Sequence, residues 1–433
     1  MMRSMFSGVS GLRTHQTKMD VIGNNVANVN TLGFKSGRVT FQEVFNQTLR
    51  GAGAPDAALG RGGTNPMQIG LGTGVGAIDT LMTRGSSQRT DNPTDISIEG
   101  EGFFIVKGSN ADTFKFTRAG NFGLDKLGNL VSGSGMNVYG WQRYDTQPDG
   151  SVKFSTNLEV GPINIYSDEF NGNKRVIAAQ ATKIAVLAGN LKSGETIPEA
   201  DDPAQFSVPF TAYDSRGNAH ELSINYKKTD ASSWTYTVSE KAADGTISEV
   251  AMDGDGTVSF NAQGKIEDGL TNTITVPGEA LGAEDIKISL DFSKLTMYSA
   301  EYSVKPTNVD GYATGDLVTF NIGSDGMLTG IYSNGQQQPL GLIALASFDN
   351  PAGLQKVGDN LFIPTTNSGN YTNGVQVGSQ GVGVLSPGTL EMSNVDLSRE
   401  FTDMIVTQRG FQANSRIITT SDEMLQELVN LKR

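Results

Sequence analysis

The sequence predicts a multidomain, mainly β protein that carries a long helix at each end. Apolar residues recur with helical spacing only near the two termini, while the region between them holds short apolar runs and most of the 53 glycines, which indicate many turns. A chain of 433 residues is also too long for one ordinary core. We therefore expect the terminal helices to pair as a coiled-coil domain, joined through a Gly-rich extended linker to two nested β domains.

The first helix is predicted over residues 1–30. Its apolar stripe recurs every three or four residues, with one gap at Gln16, and is as narrow as the seam of a coiled coil. Gly8, Gly11 and Gly23 weaken this helix, since a glycine inside a helix costs about 1 kcal/mol relative to alanine. The stripe consists of Met5, Val9, Leu12, Met19, Ile22, Val26 and Val29.

A second narrow stripe predicts a helix over residues 397–433. Asn394 or Asp396 is the expected cap, because a side-chain oxygen can accept from the free N–H groups of the first turn. Polar residues interrupt the stripe at regular intervals and can fix the register of a seam. The apolar positions are Leu397, Phe401, Met404, Phe411, Ile418, Leu425 and Val429, and the polar ones are Gln408, Ser415 and Asp422.

We assign residues 1–32 and 394–433 to one helical domain and expect its stripes to act as polymerisation helices, because neither stripe can bury itself alone. A helical layer packed on the core of one β domain is the alternative. The narrow width of the stripes and their place at the two ends of the chain favour the first interpretation.

The extended linker is predicted over residues 33–85. It contains a run, 70–76, in which glycine alternates with other residues and which resembles a phosphate-binding loop. That motif requires a strand before it, a helix after it and an acidic residue further on. No helical pattern follows here, so we interpret the run as bent, extended chain.

Two β domains are predicted, one inserted in the other. The inner domain comprises 86–165 and 310–386, with a hairpin formed by Ile96–Ile98, a turn at 99–102 and Phe103–Val106. The outer domain spans 166–309. Its expected strands are Thr182–Leu187, Phe206–Tyr213, Leu222–Tyr226 and Trp234–Val238, with a hairpin turn at 214–218, and further inner-domain strands are Leu317–Ile322 and Gly341–Phe348.

The composition excludes several classes of function. The net charge of −13 argues against nucleic acid as a partner, since phosphate binding needs lysine and arginine. The chain has no cysteine, which excludes disulfides, zinc fingers and thiol catalysis. Its two histidines, His15 and His220, lie far apart in the sequence, and we expect no metal site and no cofactor. No apolar run approaches the roughly 18 residues that span a bilayer, so no membrane insertion is expected.

No catalytic motif is present. The sequence lacks a Gly-x-Ser-x-Gly elbow and a Walker lysine. Residues 253–256 resemble the opening of a calcium loop, but the twelfth position, which needs a glutamate, is Gly264, so we expect a turn. We therefore expect no enzyme. A secreted β-rich enzyme or a carbohydrate-binding module is the alternative from another class, because carboxylate pairs meet only in three dimensions.

Two motifs resemble those of the bacterial flagellar rod and hook protein family. One runs from Asn24 to Lys35 and the other from Phe411 to Arg416, while the region 166–309 matches more weakly. Shorter matches to the inner β domain of the family lie at 92–96, 102–104, 116–120 and 353–360. The motif residues are Asn24, Asn25, Ala27, Asn28, Gly33, Phe34, Gln412, Ala413, Asn414 and Ser415.

The resemblance implies a structural subunit. Hook subunits polymerise into a curved, flexible tube that passes motor torque from the rod to the filament, and distal rod subunits, which we expect to be much shorter, are the alternative. The implied partners are further copies of the chain, the flagellar rod, hook cap and hook–filament junction proteins, and the flagellar export apparatus. The implied location is the extracellular hook and basal body, reached through the flagellar channel without a cleaved signal peptide.

Overall fold

The two predicted helices are present, one at each end of the chain. In this computed structural model, α1 spans Met2–Ala27 and α2 spans Leu397–Asn430. Asp396 caps α2, since its Oδ1 accepts from the backbone N–H groups of Ser398 at 2.9 Å and Arg399 at 3.3 Å. The helices pack together in a chain that is otherwise mainly β, which confirms the predicted fold class.

The chain folds into two compact units. The first comprises Met1–Ile165, Asn321–Thr329 and Pro339–Arg433, and the second comprises Tyr166–Phe320 and Gly330–Gln338. Among the residues that the structure describes, no helix is long and apolar enough to cross a membrane. The described residues are 2–55, 60, 62–108, 112–147, 151–169, 172–198, 203–242, 245–278, 284–379 and 381–431.

Short strands make up most of the regular structure. Those before residue 166 are β1 (Gly37–Glu43), β2 (Asn46–Arg50), β3 (Met67–Gly70), β4 (Thr73–Thr80), β5 (Ser87–Arg89), β6 (Ile96–Glu99), β7 (Phe103–Lys107), β8 (Lys115–Thr117), β9 (Phe122–Leu124), β10 (Leu130–Ser132), β11 (Asn137–Trp141), β12 (Tyr144–Thr146), β13 (Val152–Phe154) and β14 (Gly161–Pro162). Those that follow are β15 (Val176–Ile177), β16 (Ile184–Lys192), β17 (Phe206–Tyr213), β18 (Ala219–Lys228), β19 (Ser233–Lys241), β20 (Ile247–Glu249), β21 (Ala251–Met252), β22 (Thr257–Phe260), β23 (Ile266–Asp268), β24 (Thr271–Val276), β25 (Ile286–Tyr298) and β26 (Lys305–Val309). The last are β27 (Gly315–Ile322), β28 (Met327–Tyr332), β29 (Gln337–Ala346), β30 (Gln355–Gly358), β31 (Leu361–Ile363), β32 (Val375–Gln376), β33 (Val384–Pro387) and β34 (Thr389–Glu391), with a short 3₁₀ helix at Pro351–Gly353.

The predicted linker folds into a two-stranded antiparallel ribbon. β1 pairs with β4, β2 pairs with β3, and an isolated bridge between Gly53 and Thr64 continues the pairing. The Gly-rich run 70–76 lies in this ribbon as extended chain, as expected, and forms no phosphate loop. At a rise of about 3.3 Å per residue, the length of the ribbon along its strands is on the order of 50 Å.

The rest of the first unit is built around β7. This strand pairs with β8, β11 and β29, and β8 continues to β31 and β30. An aromatic-rich core lies on this sheet and includes Phe103, Phe116, Tyr139, Trp141 and Phe362.

The predicted hairpin of residues 96–106 is wrong, although its two strands exist. β6 pairs with β33 near the far end of the chain, with Ile98 opposite Leu385. The chain between β6 and β7 passes through Gly100 and Gly102 at φ values of 131° and 118°, which direct it into a neighbouring sheet instead of back onto β6.

The second unit is a β sandwich. One sheet has the strand order β17–β18–β19–β22–β23, with β20 beside β19, and the other has the order β21–β24–β25–β16–β26. Alternate residues of both sheets fill one core, whose largest members include Tyr226, Trp234, Tyr236 and Phe292. The strands predicted for this region are confirmed.

The predicted turn at 214–218 is also confirmed. It joins β17 to β18, which pair from Phe206 opposite Tyr226 to Tyr213 opposite Ala219. The carboxylate of Asp214 closes the turn by accepting from the backbone N–H groups of Arg216 and Asn218, both at 2.8 Å. Burial acts against this ionised carboxylate, but the bonds from Asn218 and the turn backbone lower the pKa of Asp214.

Ile224→Ala should destabilise the second unit by about 2–5 kcal/mol, because it leaves a cavity at a fully buried position. Trp234 lies in the second unit and Trp141 in the first, so a Trp141→Phe background lets tryptophan fluorescence during urea unfolding report on the second unit. Ile247→Ala is the matched control, since Ile247 is exposed and its loss should cost less than about 0.5 kcal/mol. Equal losses of unfolding free energy for the two variants would contradict the placement of Ile224 in the core of the second unit.

Candidate assembly site

The terminal helices form an antiparallel pair. Near the end of α1, Lys18 Nζ lies 3.5 Å from Oδ1 of Asp403, which is close to the start of α2. Near the start of α1, a Cβ added to Gly8 would lie 3.3 Å from Cγ1 of Ile418, far along α2. Both contacts lie within the first unit, and they fix the direction and the register of the pair.

The face of α2 that meets α1 alternates between large apolar and small or polar side chains. Its members are three or four residues apart and at least partly buried. Of the predicted stripe, this face includes Met404, Phe411, Ile418 and Leu425. Glu400, Thr407, Asn414 and Ser421 alternate with them, and Asp403 and Gly410 are partly buried beside this face.

From Phe401 to Asp422, alternate positions of the predicted α2 stripe lie one residue beyond the buried face, and Leu397, at the start of the helix, is also exposed. Leu397 and Phe401 are 39% and 49% exposed, and the polar positions Gln408, Ser415 and Asp422 are exposed as well. The residues that face α1 instead precede these polar positions by one. The apolar pattern does not mark these seam positions, because a close helix contact uses small and polar residues there.

α1 contributes small side chains to the same contact. Gly8 and Gly11 are buried, and a Cβ added to Gly11 would lie 2.7 Å from Oδ1 of Asn414. Glycine at these positions lets the two helix backbones approach closely. Of the predicted stripe, Ile22 is buried, Val9 is exposed, and the partly buried members are Met5, Leu12, Met19 and Val26.

Gly410 of α2 makes room for the ring of His15. A Cβ added to Gly410 would lie 2.6 Å from Cε1 of His15. The ring also meets Phe41 of the ribbon edge-on, with 5.5 Å between the ring centroids. His15 Nδ1 is buried and has no hydrogen-bond partner among the described residues. Burial, with a smaller contribution from Lys18, lowers the pKa of His15 and so favours the neutral imidazole.

Large apolar side chains cover the outward faces of the helix pair. They are between 38% and 81% exposed in the described chain. Large exposed apolar side chains that gather on one element are typical of a contact surface. The residues are Met2, Phe6, Val9, Leu397, Phe401, Ile405, Val406, Ile417, Met424, Leu428, Val429 and Leu431.

Asn25 ties the end of α1 to the ribbon and to α2. Its Nδ2 donates to the carbonyl oxygen of Gly37 at 2.8 Å, and the N–H of Gly37 donates to its Oδ1 at 2.9 Å. Nδ2 also donates to Oε1 of Glu400 at 3.1 Å. Burial raises the pKa of Glu400, and the bond from Asn25 opposes that shift.

The other motif residues on the helices shape the helix end, enter the seam or lie on the surface. Asn28 Nδ2 donates to the carbonyl oxygen of Asn24 at 2.9 Å, at the end of α1. On α2, Asn414 lies in the seam, and its Nδ2 donates to the carbonyl oxygen of Gly410 at 2.9 Å. The exposed motif residues are Asn24, Ala27, Gln412, Ala413 and Ser415.

The segment that follows α1 passes through a narrow space at the base of the ribbon. Gly33 has a φ of 66°, and a Cβ added there would lie 2.8 Å from the backbone nitrogen of Ala119. Only glycine fits this position without strain. Phe34 is buried, and Nζ of Lys356 lies 4.8 Å from the centroid of its ring.

Next to this segment, Glu391 binds two cations in the interior of the first unit. Its Oε1 accepts from Lys35 Nζ at 2.5 Å and from the backbone N–H of Gly85 at 3.0 Å, and Nη1 of Arg118 lies 3.4 Å from Oε2. Lys35 Nζ also donates to the carbonyl oxygen of Thr83 at 2.9 Å. The side chains of Lys35 and Glu391 are fully buried, and that of Arg118 is nearly so.

The carboxylate of Glu391 offsets part of the free-energy cost of burying these two cations. Burial lowers the pKa of Lys35 and of Arg118, and the attraction of Glu391 opposes both shifts. The cluster joins chain segments that are distant in sequence, since Lys35 follows α1, Thr83 follows the ribbon and Glu391 ends the last strand before α2. No sequence pattern marks this cluster, because a single glutamate in a strand has no distinguishing neighbours.

Four family models match separate parts of the chain, and relatives match nearly its whole length. The model described as "Flagella basal body rod protein" matches 5–35, and "Flagellar hook protein FlgE/F/G D1 domain" matches 97–186. The model "Flagellar basal body protein FlaE D2 domain" matches 188–312, and "Flagellar basal body rod FlgEFG protein C-terminal" matches 386–431. The flagellar hook protein FlgE of Borreliella burgdorferi is 42% identical over all of both chains. The chain belongs to the flagellar hook protein family.

Other relatives agree with this assignment. The hook proteins FlgE of Treponema pallidum and Escherichia coli are 38% and 35% identical, over at least 98% of each chain. A crystal structure of the Helicobacter pylori hook protein FlgE2 shares the fold, with a TM-score of 0.50 and 15% identity over 70% of this chain and 100% of that chain. A Bacillus subtilis chain named basal-body rod protein FlgG is 32% identical over all of both chains. Length therefore does not separate the two names, contrary to our expectation, but the higher identities are to hook proteins.

Gly11→Ala and Gly410→Ala should loosen the helix pair, because the added methyl group displaces the side chain of Asn414 or His15. Gly23→Ala is the matched control in α1, since nothing lies within 4 Å of an added Cβ there. That change should stabilise the helix by about 0.5–1 kcal/mol through helix propensity. Hydrogen–deuterium exchange over α1 should become faster in the seam variants and slower in the control. Unchanged exchange in the seam variants would refute the close contact.

Glu391→Gln should destabilise the first unit by about 3–5 kcal/mol, because it leaves two buried cations without their carboxylate. Glu99→Gln is the control: Glu99 meets Arg84 on the exposed surface at 3.3 Å, and its loss should cost less than about 1 kcal/mol. The measurement is urea unfolding followed by Trp141 fluorescence in a Trp234→Phe background. If Glu391→Gln lowers the free energy of unfolding by less than 1 kcal/mol, the cluster does not organise the first unit.

Proposed function

We propose that the chain is a structural subunit that polymerises into the curved, flexible tube of the flagellar hook and so passes motor torque from the rod to the filament. The observation that carries this proposal is the exposed apolar surface on the outward faces of α1 and α2. The helix pair cannot cover that surface by itself, and further copies of the same chain can. Contacts between unlike surfaces of identical subunits that do not close into a ring generate an open filament.

The predicted stripe and motif residues have two roles in this proposal. Those in the seam hold α1 against α2, while exposed ones such as Val9, Leu397 and Phe401 contact neighbouring copies. We retain the proposed division into a helical domain at 1–32 and 394–433, a linker at 33–85, an inner β domain at 86–165 and 310–386, and an outer β domain at 166–309. The family models that match 97–186 and 188–312 support two β domains and place their first border near residue 187, beyond the proposed one at 165.

The proposed partners beyond the chain itself are the rod, hook cap and hook–filament junction proteins and the export apparatus. The proposed route is passage through the flagellar channel without a cleaved signal peptide, to the extracellular hook. Membership in a family of flagellar structural proteins supports a role in the flagellum and argues against an enzyme.

A distal rod subunit is the second candidate, because the Bacillus subtilis relative carries the name of a rod protein. A rod is straight and stiff, whereas a hook bends. Electron microscopy of tubes assembled from the purified chain separates the two: curved tubes support the hook and uniformly straight ones support the rod.

Removing either terminal helix tests the polymer itself. Deletion of residues 1–30 or of 397–433 should abolish tube formation, since each removes one side of the helix pair. The second unit should stay folded, because its core contains no residue of either helix. Sedimentation and electron microscopy measure assembly, and the unfolding transition of Trp234 reports on the second unit. Normal tubes from either truncation, or a full-length chain that stays monomeric under all assembly conditions, would contradict the proposal.

A further inference from the structure

The chain contains three Asn-Gly pairs, a sequence at which a protein can modify itself. The backbone nitrogen of the residue after an asparagine can attack the carbon of the side-chain amide, and glycine has no side chain to shield that nitrogen. The pairs lie at 171–172, 334–335 and 373–374. Asn171 lies outside the described residues, so the comparison is between the other two pairs.

At the last pair, the reacting atoms are already adjacent. The N–H of Gly374 donates to Oδ1 of Asn373 at 2.8 Å, which places the Gly374 nitrogen next to Cγ, the carbon that carries Oδ1. Nδ2 of Asn373 donates to the carbonyl oxygen of Leu158 at 3.2 Å and so holds the side-chain amide in this position. A nucleophile that is held beside the carbon it attacks reacts faster than one that must first reach it.

The pair Asn334-Gly335 has the same residues but a different geometry. The N–H of Gly335 donates to the carbonyl oxygen of Tyr332 at 2.9 Å and closes the turn between β28 and β29. Oδ1 of Asn334 accepts from the N–H of Gln336 at 3.0 Å, and Nδ2 donates to the carbonyl oxygen of Ala313 at 2.7 Å. Attack at this pair requires the turn to open, which costs these hydrogen bonds.

The packing of the first unit requires the glycine of the pair 373–374. A Cβ added to Gly374 would lie 2.7 Å from Cβ of Ala344 and from Cγ1 of Val160, and 3.3 Å from Cη2 of Trp141. A larger residue, which would shield the backbone nitrogen, therefore does not fit beside this core.

We propose that Asn373 is a site of spontaneous deamidation, with water as the co-reactant. Once base removes the proton of the Gly374 N–H, the nitrogen forms a bond to Cγ of Asn373, the Cγ–Nδ2 bond breaks, and Nδ2 takes up a proton and leaves as ammonia. The product is a succinimide ring. Water then adds to either ring carbonyl and opens the ring, which leaves aspartate or isoaspartate at position 373.

Either product alters the packing of the first unit. Both place a negative charge at position 373, and isoaspartate also adds a methylene group to the backbone, which moves Gly374 against Trp141. β32 follows directly and pairs with β29, with Val375 opposite Leu345. We expect this pairing to loosen, because a well-packed core does not accommodate an added methylene without strain. Since the reaction occurs within one chain, it accumulates with the age of each subunit whether or not the chain polymerises.

The first test compares the two pairs within one sample. The purified chain is incubated in warm, mildly alkaline buffer, and peptide mass spectrometry follows the deamidation of each asparagine. In the folded chain, Asn373 should deamidate about ten times faster than Asn334, because the fold aligns the reacting atoms at Asn373. In urea, where the fold is lost, the two rates should converge. Equal rates in the folded chain, or a faster reaction at Asn334, would overturn the proposal.

The second test measures whether the modification disturbs the core. In a Trp234→Phe background, the emission of Trp141 should shift slowly as deamidation proceeds, and hydrogen exchange over residues 375–376 should become faster. Asn373→Gln is the matched control, since the longer side chain must close a larger ring and reacts far more slowly. That variant should show neither change over the same time, while Asn334→Gln should change like the unmodified chain. An emission shift at the same rate in Asn373→Gln, or deamidated chains with unchanged exchange, would contradict the link between Asn373 and the core.

Discussion

The architecture of the first unit depends on one buried carboxylate. Glu391 holds Lys35 and Arg118 in the interior, where each unpaired charge would cost several kcal/mol. The cluster is therefore stable only when four parts of the first unit are folded around it: the segment after α1, the base of the ribbon, the inner sheet and the last strand. Because α1 ends at this junction and α2 begins beside it, the two helices are held side by side in opposite directions. The antiparallel pair and its register follow from that constraint.

The helix pair departs from the usual distribution of side chains in a coiled coil. Large apolar residues normally fill the seam, but here part of the seam consists of Gly8, Gly11, Thr407 and Gly410, and many large apolar residues face outward. The small residues gain stability from close backbone approach, and the partly buried Met404, Phe411, Ile418 and Leu425 add apolar burial. In the proposed polymer, burial of the outward surface adds a further apolar contribution, so assembly stabilises the helix pair.

The sequence predicted those elements whose pattern is local. The 3.6-residue period of the apolar side chains predicted both terminal helices. The alternation of apolar and polar residues predicted the strands of the second unit. The seam register was missed at every second position, because Thr407 and Ser421 are small and polar, and close packing decides their burial. The pairing of β6 with β33 and the cluster at Glu391 depend on residues from opposite ends of the chain, and no local pattern encodes such a partner. The motif at 24–35 identified the family, but the structure was needed to show that Asn25 and Gly33 connect α1 to the ribbon and the inner sheet.

The two units suit different demands in a tube that bends while it rotates. The second unit has a complete core of its own, and polar side chains such as Thr211, Glu221 and Asn225 alternate with that core on its outward strand faces. Polar contacts between neighbouring copies exchange hydrogen bonds with water at small net cost, so such surfaces can shift as the tube bends. The apolar faces of the helices, once covered by a neighbouring copy, cannot separate without exposing apolar area to water. In the proposed hook, the helices therefore keep the subunits connected, while the polar surface of the second unit can shift against its surroundings.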